Sequence, residues 1–243
     1  MRHTDSWRDS KRRFVVTMVL ASLVLAALLC ANLCIGSVGM SPAELLGALA
    51  AGPGASGLEA SVIWQIRLPR AVSAAILGGA LACSGFLLQT FFNNPIASPY
   101  ILGISAGAKC ALAAVTICVI GAGGALASWQ VVGAAFVGSL AATALVLGLS
   151  TKIRSMSMLI VAGVMAGYVF NAITDFLVTF ASDQNIVNLH NWALGSFSGA
   201  TWSQVGVEAA VCAAGFAASM ALAKPMAAFQ LGEGYAKSVG VNV

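Results

Sequence analysis

The chain has 243 residues, of which 59% are hydrophobic and 8% are charged, and its formal net charge is +4. Soluble domains carry about 25% charged residues, so this composition excludes a water-soluble globular fold. Apolar stretches of about 18 residues or more recur along the chain, and such stretches are typical of membrane-spanning helices.

Six apolar segments are long enough for a helix to cross about 30 Å of hydrocarbon. In chain order they cover residues 14–35, 70–92, 99–122, 129–149, 158–181 and 202–223. We therefore predict an all-α fold, a polytopic membrane helix bundle, with a single transmembrane domain over residues 1–243.

Local signals predict where several helices begin. Capping-box patterns, in which Ser or Thr is followed three residues later by Glu or Gln, occur at residues 41–44 and 201–204. The first pattern opens the segment "SPAELLGALA", which is too short to span a membrane and is predicted to lie at its surface. The second pattern heads the sixth span. Ser98 followed by Pro99 predicts that the third span begins at Pro99, because proline is favoured at the first helical position.

Most of the twelve Lys and Arg residues fall on one side of this predicted topology. Lys and Arg accumulate in cytoplasmic loops, so we place the N-terminus in the cytoplasm. Residues 1–13 then form a basic cytoplasmic N-terminus and residues 225–243 a cytoplasmic tail of a multi-pass protein in the cell membrane. The topology explains the basic N-terminus, and no nucleic-acid-binding motif is present.

Neither a metal site nor a catalytic set is expected. The six cysteines lie in apolar stretches without a C-x-x-C pair, and both histidines are isolated. The stretch "GISAGAKC" at residues 103–110 is close to a phosphate-binding loop pattern, but it lies in a predicted membrane span and lacks the second glycine and the Ser or Thr. Gly103 and Gly107 instead share a helix face, which predicts close helix packing.

Three cations are not explained by the topology. Arg67 and Arg70 lie on the external side, either as side chains that reach the membrane surface from a helix end or as a docking point for an acidic partner. Lys109 lies within the third span. A helix that begins at Pro99 would place it near mid-membrane, facing a water-filled path or an acid, whereas a start near Ile104 would let it reach the cytoplasmic surface.

The run "RLPRAVSAAILGGALACSGFLLQTFFNNPIASPYILGISAGA" is long and specific. It resembles the permease subunits of the iron-chelate (siderophore or haem) and vitamin B12 ABC importers, the type II importer family. Segments "WALGSFSGATWS" and "LGEGYAKSVGVNV" match the same family, in the same order, at residues 192–203 and 231–243. The residues of the first run that carry the resemblance include Arg67, Arg70, Gly79, Gly85, Gln89, Asn94, Pro95, Pro99, Gly103 and Gly107. Those from Gly79 onward are interpreted as a packing motif.

The resemblance implies a transport permease that is not an enzyme and binds no cofactor, since ATP and Mg²⁺ are held by separate ATPase subunits. It also implies an extracytoplasmic substrate-binding protein, a second permease copy or homologue in a dimer, and surrounding membrane lipid. The expected cargo is a ferric siderophore, with haem or cobalamin as the alternatives.

The resemblance also assigns residue roles. The tail, residues 225–243, would be a coupling segment that contacts the ATPase through Leu231, Gly232, Glu233, Ala236 and Gly240. Arg67 and Arg70 would dock the binding protein. The fifth span would line the translocation path, which makes Asn171 and Asp175 path residues, with Lys109 as a third candidate. For Asp175, simple exposure at the membrane interface remains the alternative.

Four features depart from the family pattern: Asn93, Gly234, Lys109 and the number of spans, of which the last two matter most. The family's members are usually built of about ten spanning helices, so a chain with six is expected to be a truncated frame or a fragment. Lys109 is a charge where a small or apolar residue is expected. Two other interpretations stay open: a non-functional truncated permease, and an ion-coupled secondary transporter that uses Lys109, Asp175 and Glu208 as its charges.

Overall fold

The computed structural model describes residues 2–36, 39–55, 57–120, 127–153 and 155–241, with all their side chains except those of residues 2–9, 118–120, 128 and 233. Every regular element in these ranges is helical, which confirms the predicted all-α fold. In chain order the helices are α1 Arg2–Cys34, α2 Pro42–Ala51, α3 Leu58–Val62, α4 Leu68–Phe92, α5 Ile104–Ala114, α6 Ser128–Ser150, α7 Met156–Val178, α8 Asp183–Leu194, α9 Trp202–Gln230 and α10 Glu233–Ser238. A π-helical turn, Ile63–Arg67, joins α3 to α4, and another, Val115–Ile120, extends α5.

Among the described residues, 5 continuous helices are long and apolar enough to cross a membrane. They are Ser10–Cys34, Leu58–Phe92, Trp129–Ser150, Met156–Val178 and Trp202–Gln230. They correspond to the predicted first, second, fourth, fifth and sixth spans. Large apolar side chains of α1, among them Phe14, Leu20 and Leu28, are exposed on the chain, as expected of a surface that contacts lipid.

The predicted third span is wrong at its start. The helix begins at Ile104, and Gly103 just before it has a φ of 76°. A right-handed helix cannot pass through that left-handed conformation, so the apolar run from Pro99 is divided there. Residues 93–103 form hydrogen-bonded turns, in which the Leu102 N–H donates to the Ser98 carbonyl oxygen at 3.3 Å. The predicted end of the span, at residue 122, lies outside the described residues.

The predicted end of the sixth span is also wrong. Helix α9 continues past residue 223, through Pro225, to Gln230. Proline removes one backbone donor from the helix, but here it does not end it. The first residues of the predicted tail, 225–243, are therefore a continuation of the spanning helix.

Both predicted capping boxes are present. The Ser41 N–H donates to Glu44 Oε2 at 2.7 Å and the Glu44 N–H donates to Ser41 Oγ at 3.3 Å. The same reciprocal pair joins Thr201 and Gln204, at 3.0 and 3.4 Å. These bonds satisfy helix N–H groups that have no partner within the helix. The bonds from Ser41 also hold the pKa of Glu44 below its ordinary value.

The chain divides into two compact units. The first comprises Met1–Leu77 and Phe197–Val211. Its core contains Met40, Leu45, Ala48 and Ile63. The Trp64 indole N–H donates to the Ala48 carbonyl oxygen at 3.0 Å, which ties the surface helix α2 to the α3–α4 junction.

The second unit comprises Gly78–Ser196 and Cys212–Val243. Its centre is the contact of α5 with α6 and α7, where glycines let the backbones approach closely. A methyl group built on Gly107 would lie 2.7 Å from the Gly138 carbonyl oxygen. One built on Gly103 would lie 2.9 Å from the Gly167 backbone nitrogen and 3.0 Å from the Gly163 carbonyl oxygen. No side chain larger than hydrogen fits at these positions.

A matched pair of glycine substitutions in α6 tests this packing. A methyl group on Gly138 would lie 2.6 Å from the Ala111 Cβ, whereas one on Gly133 would meet no atom within 4 Å. We expect Gly138→Ala to lower the free energy of unfolding by about 1–3 kcal/mol, the usual cost of overpacking. Gly133→Ala should leave it unchanged or raise it slightly. Thermal unfolding of the purified variants in detergent measures both, and equal unfolding temperatures would contradict the packing.

Candidate functional site

Arg67 is buried, with 7% of its surface exposed. Its guanidinium Nη1 donates to the carbonyl oxygens of Leu33, at 2.5 Å, and Cys34, at 3.1 Å. These carbonyls belong to the last turn of α1 and lack helical partners, so a cation there is favoured by both hydrogen bonding and the helix dipole. A methyl group on Gly36 would lie 2.7 Å from Arg67 Nη2, so the chain after α1 wraps closely around this guanidinium.

Arg70 is partly exposed, one turn further along. Its Nη2 donates to the Ser198 carbonyl oxygen at 2.6 Å, while its buried Nε has no partner among the described atoms. Ser73, another turn on, is 1% exposed and donates its hydroxyl to Glu208 of α9. The two predicted docking arginines therefore differ, since Arg67 is held inside the first unit and Arg70 keeps an accessible side.

The predicted coupling segment contains a short helix between two glycines. Gly232 and Gly240 have φ values of 106° and 82°, and α10 lies between them. The Val241 N–H donates to the Ala236 carbonyl oxygen at 3.0 Å, which closes the helix end. Ala236 is fully buried, at 0% exposure. Of Glu233 only the backbone is described.

The exposed side of this segment is apolar. Leu231, Tyr235 and Val239 have 68%, 49% and 52% of their surfaces exposed. Tyr235 lies in α10, while Leu231 precedes Gly232 and Val239 directly follows the helix. Exposed apolar side chains close together in a short segment are typical of a surface that docks on another protein.

The end of α9, just before α10, is fixed to the end of α4. The Gln230 side chain donates to Thr90 Oγ1 at 3.2 Å. The Phe91 and Phe229 rings stack with their centroids 5.7 Å apart and their planes 10° apart. The end of α9 that leads into α10 is therefore joined to the end of α4 by side-chain contacts.

A cavity of about 650 Å³ lies in the second unit, against α5 and α7. It brings together two of the three predicted path residues, Lys109 and Asn171. Asp175, one turn further along α7, does not line the cavity and is exposed. The full lining is Tyr100, Ile101, Gly103, Ile104, Ser105, Ala106, Ala108, Lys109, Ser139, Val164, Gly167, Tyr168, Asn171, Trp192 and Ala193.

The other predicted motif residues lie in two places. A methyl group built on Gly79 or Gly85 of α4 would meet no described atom within 4 Å, in contrast to one built on Gly103 or Gly107. Gln89, Asn94, Pro95 and Pro99 lie at the end of α4 and in the turns that follow it. There the Asn94 N–H donates to the Gln89 carbonyl oxygen at 3.0 Å, and Asn94 Oδ1 accepts from the Ile96 N–H at 2.9 Å.

Sequence reasoning missed several residues of these sites. None of Tyr100, Ser139 and Tyr168 belongs to a motif. They meet at the cavity because of the way the helices pack, which the sequence alone does not reveal. Trp192 was identified only as the first residue of the family-matching segment at residues 192–203. Leu231, Tyr235 and Val239 are large apolar residues in an otherwise polar or small-residue stretch, and this signal in the sequence could have identified them as exposed contact residues of the coupling segment.

Comparison with known proteins agrees with this architecture of packed spanning helices. Residues 23–243 match the FecCD transport family. The chain is 32% identical over 197 residues to the vitamin B12 import system permease protein BtuC of Salmonella paratyphi A and of Salmonella newport. The matches cover 81% of this chain and 57% of each relative, so the chain spans little more than half of their length.

A solved structure described as an inward-facing conformation of a metal-chelate type ABC transporter shares the fold, with a TM-score of 0.75. It is 24% identical, and the match covers 91% of this chain and 66% of that one. The chain thus belongs to the FecCD transport family, and the predicted resemblance to permeases of iron-chelate and vitamin B12 importers is confirmed.

The two arginines should respond differently to the same substitution. Arg67→Gln removes a charged donor from the carbonyls of Leu33 and Cys34 at the end of α1, so we expect a loss of about 1.5–3 kcal/mol of stability. Arg70→Gln removes one bond at a partly exposed position and should cost less. Thermal unfolding of both variants, in detergent and at equal ionic strength, gives the comparison. An unfolding temperature unchanged by Arg67→Gln would show that the guanidinium does not hold the end of α1.

Proposed function

We propose that this chain is the membrane-spanning permease component of an ATP-driven importer for a metal chelate. Ferric siderophores are the first candidate cargo, and haem and cobalamin are the alternatives. Family membership supports the transport role, and the exposed apolar face of the coupling segment is the observation that carries the ATP-driven mechanism. An ion-coupled transporter has no need of such a docking face.

The proposed assembly contains ATPase subunits, which hold ATP and Mg²⁺, a second permease copy or homologue, and an extracytoplasmic binding protein. The chain lies in the cell membrane with its N-terminus and its coupling segment on the cytoplasmic side. The exposed apolar side chains of Leu231, Tyr235 and Val239 contact the ATPase. The Thr90–Gln230 bond and the stacked phenylalanines carry that movement to α4.

We propose that Ala236 acts in coupling by shaping the segment, because its methyl group is buried. Gly232 and Gly240 supply the two positive φ values that end α9 and α10. Contact and shape are therefore divided between the exposed and the buried residues of the segment.

Binding-protein docking is proposed chiefly for Arg70. Its partly exposed guanidinium can pair with a carboxylate at an aqueous surface, whereas Arg67 is occupied by the end of α1. Such rim charges act mainly on association rate and salt dependence. The Arg70→Gln variant described above should therefore lose binding-protein association at low salt while its unfolding temperature falls less than that of Arg67→Gln.

Leu231→Glu combined with Tyr235→Glu tests the coupling role. Two charges on the apolar face should weaken ATPase association and ATP-driven uptake by about tenfold or more, as loss of central contacts does at protein interfaces. The measurements are co-purification of the ATPase with the permease and uptake of labelled chelate into proteoliposomes.

The matched control is Leu46→Glu on α2, where the leucine is 67% exposed, close to the 68% of Leu231. It should leave both measurements unchanged. Normal ATPase association and uptake in the double variant would overturn the coupling role.

A further inference from the structure

Lys109 has no charge partner in the part of the chain that the structure describes. Its side chain is partly buried and lines the 650 Å³ cavity, yet no described Asp or Glu pairs with it or lines that cavity. An ammonium group removed from bulk water interacts strongly with a nearby anion, because the surrounding dielectric is low. The cavity therefore favours an anionic occupant.

The rest of the lining matches such an occupant. The side-chain amide of Asn171 makes no hydrogen bond to another described residue, so it can donate into the cavity. The Ser139 hydroxyl already donates to the Ala135 carbonyl oxygen at 3.0 Å, so it can only accept further bonds. Lys109 and Asn171 thus supply donors at one site, on α5 and α7.

The cavity also has aromatic walls. Tyr100, Tyr168 and Trp192 all line it. Flat aromatic surfaces beside a few polar groups, in a volume of several hundred Å³, are typical of sites for small organic ligands. A ligand with anionic oxygens and an extended organic frame fits this combination better than a simple inorganic ion.

We propose that this cavity binds an anionic group of the cargo, such as a carboxylate, so that the permease favours chelates with net negative charge. The proposal rests on the proposed function and narrows its substrate class. Lys109 holds the anionic group, Asn171 donates to it, and the aromatic side chains contact the organic frame. A phospholipid headgroup offers the same anionic chemistry, so the test separates the two sources.

Equilibrium binding of ⁵⁵Fe-labelled chelates to the purified full chain tests the proposal. The chain is placed in nanodiscs of zwitterionic phosphatidylcholine, and the probes are anionic ferric citrate, neutral ferrichrome and cationic ferrioxamine B. We expect ferric citrate to bind about tenfold more tightly than the other two, the scale of one charged hydrogen bond. Lys109→Met should remove that preference and Lys109→Arg should keep it.

The control is Lys152→Met, the same substitution at an exposed lysine outside the cavity, which should not change binding. Equal binding of the three probes, no measurable binding, or full binding by Lys109→Met would each overturn the proposal. Native mass spectrometry of mixed-lipid nanodiscs tests lipid as the occupant. Retention of phosphatidylglycerol that depends on Lys109, together with loss of ferric citrate binding, would assign the site to lipid and overturn the cargo assignment.

ATP-driven uptake by the assembled transporter is measured separately. Uptake of all three chelates at equal rates would overturn the charge selectivity and leave the proposed function standing. If none of the three chelates shows ATP-driven uptake while Lys109-dependent anion binding is intact, the proposed function is contradicted instead.

Discussion

Contact between glycine backbones fixes the position of α5. Gly107 lies against Gly138 of α6, and Gly103 lies against Gly163 and Gly167 of α7, at distances that leave no space for a Cβ. Lipid chains are as apolar as leucine, so helices in a membrane are held together largely by such close van der Waals contact. Helix α5 is short and begins inside the apolar run that starts at Pro99. The glycine contacts therefore determine where Lys109, the charged residue of α5, lies.

The same contact links packing to the site. Gly103 and Gly167 both pack and line the cavity, and Lys109 follows Gly107 by two residues on α5. A helix that began at Pro99 would place Lys109 elsewhere along its axis. The left-handed conformation of Gly103 therefore decides both the start of α5 and the surroundings of the lysine.

The sequence predicts the spans and the helix starts that depend on local chemistry. Composition and segment length identify the long helices, and the capping boxes at Ser41 and Thr201 form as predicted because their partners are three residues away. Features that depend on distant residues were not predictable. The burial of Arg67 depends on carbonyls more than thirty positions earlier, and the cavity joins residues of α5, α6, α7 and α8. The start of α5 was left open between Pro99 and Ile104, because an apolar run does not reveal the positive φ at Gly103.

The most direct test of the α5–α7 packing is a disulfide between these two helices. The Cys110 side chain of α5 lies close to the Thr174 side chain of α7, so Thr174→Cys should bring two thiols into bonding range. In a chain whose other native cysteines are replaced by serine, oxidation with copper phenanthroline should join residues 110 and 174, as shown by mass spectrometry of the linked peptides. Ile173→Cys, a neighbouring position with 43% exposure, should not form the link. Two free, separately alkylated cysteines in the oxidised Thr174→Cys variant would contradict the packing of α5 against α7, and with it the position of Lys109.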